Sequence, residues 1–323
     1  MKKRLLATIL SLCLLVGLLP TAALAAETDG DILDVQEQSG GQENLVAPVR
    51  ELPTENAMCT YVTSGGTPST EEVTLSAAVE ALNDAGGGTI TVVSDGLADK
   101  KNIQIDTPIT IVAQEEKPVV VTTTAMEEDD ALFLIWQYGA ENSVLTLGQD
   151  GMSDGLLTFD GAEQDNTCIV RNVAGNGDAD KPHGVVLQDS VVLTGCTVSA
   201  IASGSQRIPQ VTMYGGQIKG NTGEYAVMGS PFTMTGGEIC ENESEEATIC
   251  VPFFDSTTRI GGDARIYDNE AGSYGGVFTR GSLILENNAR ISECKAVDDD
   301  GFVGGVSAAG TLTMRDNAVS ELG

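Results

Sequence analysis

Residues 211–242 read VTMYGGQIKGNTGEYAVMGSPFTMTGGEICEN, and the stretch says the same thing twice. Met213 matches Met234, Gly215 and Gly216 match Gly236 and Gly237, Ile218 matches Ile239, and Asn221 matches Asn242, always at a step of 21 residues. A period of this size, built from short apolar runs and glycine-rich turns, marks a solenoid in which each repeat buries its apolar side only against the next. Working outward, equivalent apolar positions fall at Val198, Ile218, Ile239, Ile266, Ile291 and Val319, which is 121 residues in five steps or about 24 each. A second column runs through Leu193, Met213, Met234, Ile260, Leu285 and Met314, and a third through Val227, Ile249, Val277 and Val306. Three columns sharing one period predict three strands per turn, stacked in parallel at about 4.8 Å per coil.

Ahead of the repeats, Ser69, Thr70, Glu71 and Glu72 match a capping box, with Leu75, Ala78, Val79 and Leu82 following at helical spacing. A short amphipathic helix over 73–84 is predicted, ending at Gly86, Gly87 and Gly88, where a left-handed backbone costs little. Placed before the first coil, it would cover an otherwise open apolar end. Residues 89–93 then alternate as a strand, and short β-rich runs around Ile103, Ile109, Val119, Leu132 and Leu145 continue the pattern between turns. The fold class is therefore all-β, with an N-terminal cap over 58–88 and a β-helix over 89–323.

The GGxIxxN units, together with Gly275, Gly276 and Val277 and with Gly304, Gly305 and Val306, resemble the right-handed parallel β-helix of the pectin-lyase-like superfamily. More narrowly, they are similar to repeats of adhesin-like bacterial surface proteins and of the polymorphic outer-membrane protein family. The resemblance covers 89–323 and is strongest after Val192. It implies that Asn221, Asn242 and Asn269 stack as an amide ladder inside a tight turn, ending where Cys294 and Leu322 take the equivalent place. One β-helix hosts lyases, hydrolases, adhesins and inert stalks, so the resemblance speaks to fold far more than to function.

At the amino end, Lys2, Lys3 and Arg4, an apolar run over 5–19, and Ala23, Leu24 and Ala25 read as a secretory signal peptide spanning 1–25. That run is shorter than the roughly 20 apolar residues a bilayer span needs. Residues 26–57, rich in Glu, Gln, Asp, Gly and Pro, read as a disordered acidic leader. Removal of 1–25 takes three basic residues and no acid, so the net charge falls from −30 to −33. Such a field repels phosphate backbones and anionic lipid heads, which argues against nucleic acid as a partner and against direct membrane insertion. Cys13 leaves with the signal. The other six, Cys59, Cys168, Cys196, Cys240, Cys250 and Cys294, show no CxxC or His-containing spacing suited to zinc. Export permits disulfides among them, but buried free thiols are the simpler expectation. Residues 312–323 belong to an unfinished coil, from which we expect a truncated chain with any wall anchor lying beyond it.

Chemistry is harder to place. His183, the only histidine, follows Pro182 without an acidic partner in its motif and reads as a loop residue. The adjacent Asp pair, Gly-His-Gly and Arg-Ile-Lys of a polygalacturonase-like site are absent. Arg265 and Arg290 stand just before Ile266 and Ile291, the same place on successive coils, and Glu238 should neighbour Arg265. A cross-coil ion pair is the ordinary reading and a catalytic base the sharper one. Tyr214 and Tyr267 follow inward positions and are expected to point out, where they could stack on a sugar, but isolated surface tyrosines are common and mark no site. Asp298, Asp299 and Asp300, like Asn176, Asp178 and Asp180, lack full calcium-loop spacing and read as solvated turns.

Two residues beyond the first-column positions come Glu241, Asp268, Glu293 and, in the last coil, Glu321. In register, these carboxylates would recur about every 4.8 Å along one edge. Either they splay into water, or calcium with its flexible oxygen shell relieves the stack, so Glu241, Asp268 and Glu293 are the candidate metal ligands. The favoured function is a secreted, cell-surface, adhesin-like protein that serves as a stalk or as a binding surface for a host or environmental glycan or protein. The alternative is a calcium-assisted polysaccharide lyase or glycoside hydrolase of the pectin-lyase-like superfamily.

Overall fold

Strands that are neighbours in space come from successive repeats, and they form three parallel stacks. The computed structural model describes residues 51–136, 142–152, 155–173, 183–204, 208–298 and 302–321. The signal segment 1–25, the leader as far as residue 50, Asn176 to Asp180, Asp299, Asp300 and Leu322 lie outside the described residues. The first sheet runs in parallel from Gly88–Val92 through Ile109–Ala113, Val144–Leu147, Gly184–Leu187, Gln210–Met213, Phe232–Met234, Thr257–Ile260 and Ser282–Leu285 to Leu312–Met314. The second has nine strands, from Gly96–Leu97 to Val319–Ser320. The third has ten among the described residues: eight from Ile103–Ile105 to Lys295–Ala296, and Tyr274–Thr279 and Val306–Ala308 continuing beside them. The chain visits the three sheets in turn, so this is a parallel β-helix of three-strand coils. We number each coil from its strand in the first sheet, which makes Gln210–Met213 the start of coil five.

Most of the predicted columns are real ladders. Met213, Met234, Ile260, Leu285 and Met314 pair in sequence, as do Ile218, Ile239, Ile266 and Ile291, and Val227, Ile249, Val277 and Val306. The ends of two columns are corrected. Leu187, not Leu193, stands beside Met213, and Leu193, not Val198, stands beside Ile218. At the other end Ser320 faces Ile291 and Val319 faces Arg290. Apolarity alone selected Val198 and Val319, but coil length varies, so the nearest apolar residue at the mean period is not always the residue in register.

The passage from the second sheet to the third takes five residues in coil one (98–102) and shortens along the chain from coil two onward. It takes ten residues in coil two (123–132), seven in coil three (161–167), four in coil four (195–198) and two in each of coils five to eight. In the two-residue corners the first residue, Gly220, Glu241, Asp268 or Glu293, has φ between 49° and 61°. The second, Asn221, Asn242, Asn269 or Cys294, turns inward and is wholly buried. The left-handed residue makes the bend, and the inward amide satisfies the backbone that the bend exposes.

The helix, α1, spans Leu75–Asp84 and buries Leu75, Ala78, Val79 and Leu82. It is two residues shorter at its start than predicted, because Val73–Thr74 pairs antiparallel with Met58–Thr63. The predicted capping box does not form. Thr74 is the N-cap without a side-chain bond, and Asp99 from coil one accepts from the Ser76 backbone N–H at 3.0 Å and from the Ser76 hydroxyl. The helix ends as predicted, with Gly86 and Gly87 at φ 76° and 109°. Met58–Thr63 also pairs antiparallel with Gly88–Val92, so the cap combines a reversed strand with the helix. Folding already begins inside the expected leader, where Asn56 bridges to Leu97 and Ala57 is 1% exposed.

Candidate functional site

At the two-residue corner the ladder predicted from the resemblance is present. Asn221 donates from Nδ2 to Asn242 Oδ1 at 3.0 Å, and Asn242 does the same to Asn269 at 2.9 Å. Asn242 Nδ2 also reaches the carbonyls of Ile218 (3.1 Å) and Cys240 (2.9 Å), and its Oδ1 accepts from the Asn221 backbone N–H at 3.1 Å. Cysteines close the stack at both ends, Cys294 through its thiol and Cys196 through its backbone N–H. Asn269 Nδ2 reaches Cys294 Sγ at 3.8 Å, and the Cys196 backbone N–H donates to Asn221 Oδ1 at 3.1 Å. All six cysteines after Cys13 are buried free thiols. Burial pushes Cys59 and Cys250 up to about 12 and Cys168 to about 11, which withholds the thiolate that nucleophilic or metal chemistry needs.

One residue earlier, Glu241, Asp268 and Glu293 point outward and are exposed. They line an open concavity of about 290 Å³ together with Glu243, Glu270 and Lys295. The in-register stacking of these three is as predicted. Glu321 is not part of it, because Ser320 faces Ile291 and this sets Glu321 beside Ser292, one place short of Glu293. Lys295 Nζ meets Glu270 Oε1 at 2.9 Å, which partly offsets the negative charge. Among the described residues no three His, Cys, Asp or Glu side chains come together as a group able to hold a metal ion.

On the second sheet, Gln217, Glu238, Arg265 and Arg290 stand in register on successive coils. Glu238 accepts from Gln217 Nε2 and from the Tyr267 hydroxyl, each at 3.1 Å, and Arg265 Nη1 stands 4.0 Å from its other oxygen. This is the predicted cross-coil pair. With Arg265 62% exposed at its side chain, the contact is worth about 0–1 kcal/mol. Arg265, Tyr267, Arg290, Ser292 and Glu293 line a second open depression of about 290 Å³. Burial first, then Cys240 and Glu238, push the Tyr267 phenol above its usual range, which makes it a poor donor of its proton at neutral pH. His183 immediately precedes the strand Gly184–Leu187, and its carbonyl accepts from Gln210 N–H. Tyr214 is 52% exposed, as predicted, and stands in the turn between the first and second sheets.

A cluster that the sequence reading passed over lies on the outer side of the third sheet. Along Tyr274–Thr279, Val277 and Thr279 are buried inward, so Phe278 faces out. Tyr274 stacks on Phe278 with ring centroids 4.4 Å apart and planes 22° from parallel. Phe302, from the next coil, stacks on Tyr274 at 5.5 Å and 17°. Phe302 remains 70% exposed. The sequence carried one usable signal: Phe254, Phe278 and Phe302 are spaced by 24 residues, the mean coil period.

No family model, no curated protein and no solved structure matches this chain. No helix among the described residues is long and apolar enough to cross a membrane.

Proposed function

We propose that the chain is a secreted, adhesin-like surface protein whose β-helix presents a binding face and does not act as a catalyst. The observation that carries this reading is the ring stack of Phe278, Tyr274 and Phe302. Soluble proteins seldom keep contiguous apolar surface in water without a binding use for it. The two-residue corners of coils five to eight agree with it, because a cleft over those coils would need long loops for walls. A second reading, a polysaccharide lyase or hydrolase of the pectin-lyase-like kind, draws on the depression holding Arg265, Tyr267 and Arg290. Calcium belongs to that reading as a charge-neutralising ion.

The test is to incubate the protein with uronic and neutral polysaccharides, with and without calcium, and to measure released ends or unsaturated products. No turnover is expected. Turnover abolished by Arg265→Ala or Arg290→Ala would establish the enzyme instead.

A further inference from the structure

We infer that the outer face of the third sheet over coils six to eight docks a cationic partner protein, which inserts an apolar anchor among its aromatic rings. This rests on the binding-surface reading and gives that surface a partner chemistry. The ring stack does not end at Phe278. Arg280, two residues on, faces outward and is exposed, and its guanidinium carbon lies 5.5 Å from the centroid of the Phe254 ring. Its backbone N–H donates to Val251 at 3.0 Å, which ties it to the strand that leads into Phe253 and Phe254. The patch therefore continues from Phe302 through Tyr274, Phe278 and Arg280 to the Phe253 and Phe254 pair. Phe253, Phe254 and Phe302 are 43%, 75% and 70% exposed. Aromatic rings around an arginine are the composition of an interface centre, where such residues carry most of the binding energy.

Charge selects the kind of partner. Glu246 accepts at its carbonyl from the Ser273 N–H beside Tyr274, Asp255 follows Phe254, Asp298 pairs with Gly272, and Glu224 lies on the strand paired with Glu243–Val251; all four are exposed. Glu246 is held in place by the Tyr225 hydroxyl at 2.7 Å. Asp298 is fixed by its backbone N–H, which donates to Gly272 at 3.1 Å, just ahead of Tyr274. An apolar centre with one cation is thus rimmed by carboxylates, on a chain with a net charge of −30. A partner with lysines and arginines around an apolar anchor is drawn to that rim, and a second copy of this chain is repelled by it. A neutral sugar suits the patch less well. It needs free ring faces, and here the inner faces are taken up by other rings, at 22° and 17°.

The experiment uses three labelled probes in fluorescence anisotropy at physiological salt. They are an amphipathic helical peptide of Lys and Leu with one Trp, a Lys and Ser peptide of equal charge, and a neutral oligosaccharide. The proteins are wild type and the double variant Phe254→Ser with Phe302→Ser. Both side chains are mostly exposed, so the variant should fold, and circular dichroism verifies this. The Lys and Leu peptide is expected to bind wild type, to weaken at least tenfold in the variant, and to weaken further with added salt. The Lys and Ser peptide should not distinguish the two proteins. Failure of the Lys and Leu peptide to bind wild type, or equal affinity for both proteins, overturns the proposal. An oligosaccharide that binds wild type and is lost in the variant also overturns it, in favour of a glycan platform. Neither result touches the polysaccharide assay, which judges the binding-surface reading separately.

Discussion

The passage from the second sheet to the third is built in two ways. In coils one and two it takes five and ten residues (98–102 and 123–132), and it is held by charge. Asp130 takes an ion pair from Lys101, a side-chain bond from Asn102 and the backbone N–H of Glu127 at 3.0 Å. In coils five to eight the passage is two residues, and it is held by the buried amides of Asn221, Asn242 and Asn269 with the Cys294 thiol at the end, while the acids Glu241, Asp268 and Glu293 stand outside with little to neutralise them. The contrast shows what exact repetition does. A self-complementary group such as an amide gains a partner above and below when it repeats, whereas a charge gains two like neighbours. The irregular early coils avoid that problem by pairing opposite charges, at the cost of more chain.

The largest effect should come from breaking the amide stack. Asn242→Ala leaves the Ile218 and Cys240 carbonyls and the Asn221 N–H without their partner in a dry corner, and should cost about 2–4 kcal/mol in urea unfolding. A loss below about 1 kcal/mol would mean that the packing of the inward columns, and not the ladder, holds these coils.

The early corner should respond to pH instead. Hydrogen bonding to Lys101 is the main cause that holds the Asp130 carboxyl down at about 2, against an ordinary value near 3.9 when unfolded. A depressed acid contributes stability that is fully present above the unfolded value and is lost as pH falls from about 4 to about 2. With Lys101 partly in solvent, that contribution is small. Asp130→Asn should flatten the stability curve across this window, and Asn242→Ala should leave the slope unchanged. A slope unaltered by Asp130→Asn would remove the charge account of coils one and two.

The smallest effect concerns the outer acids. Glu293→Gln should raise stability by about 0.5 kcal/mol at low salt, with the gain fading as sodium chloride is added. Calcium at fixed ionic strength should add nothing beyond screening. A calcium-specific rise in melting temperature that Glu293→Gln removes would show that the acids hold an ion together.

Much of coils five to eight was legible in the sequence. The inward columns through Met213, Ile218 and Val227, the bend before each Asn, and the outward stack of Glu241, Asp268 and Glu293 all repeat at one coil's length. In a parallel β-helix the neighbour in space is the residue one period away. The first half yielded less, because its passages vary from four to ten residues and no fixed step leads from Leu193 to its partners. The binding face was legible only as a faint 24-residue recurrence of Phe254, Phe278 and Phe302.

The sequence by itself therefore determined the coil: its period, its three inward columns and the residue types able to turn its tightest corner. Only the tertiary structure decided that Asp99, 23 residues away, binds Ser76 at the start of α1. It also decided that Glu321 falls one place out of register, and that Tyr274, Phe278 and Phe302 share a stack continued by Arg280 and Phe254. The reason is physical. Inward positions must meet their counterparts in the next coil to leave water, so periodicity encodes them, whereas outer contacts depend on how turns of unequal length carry their side chains across the surface.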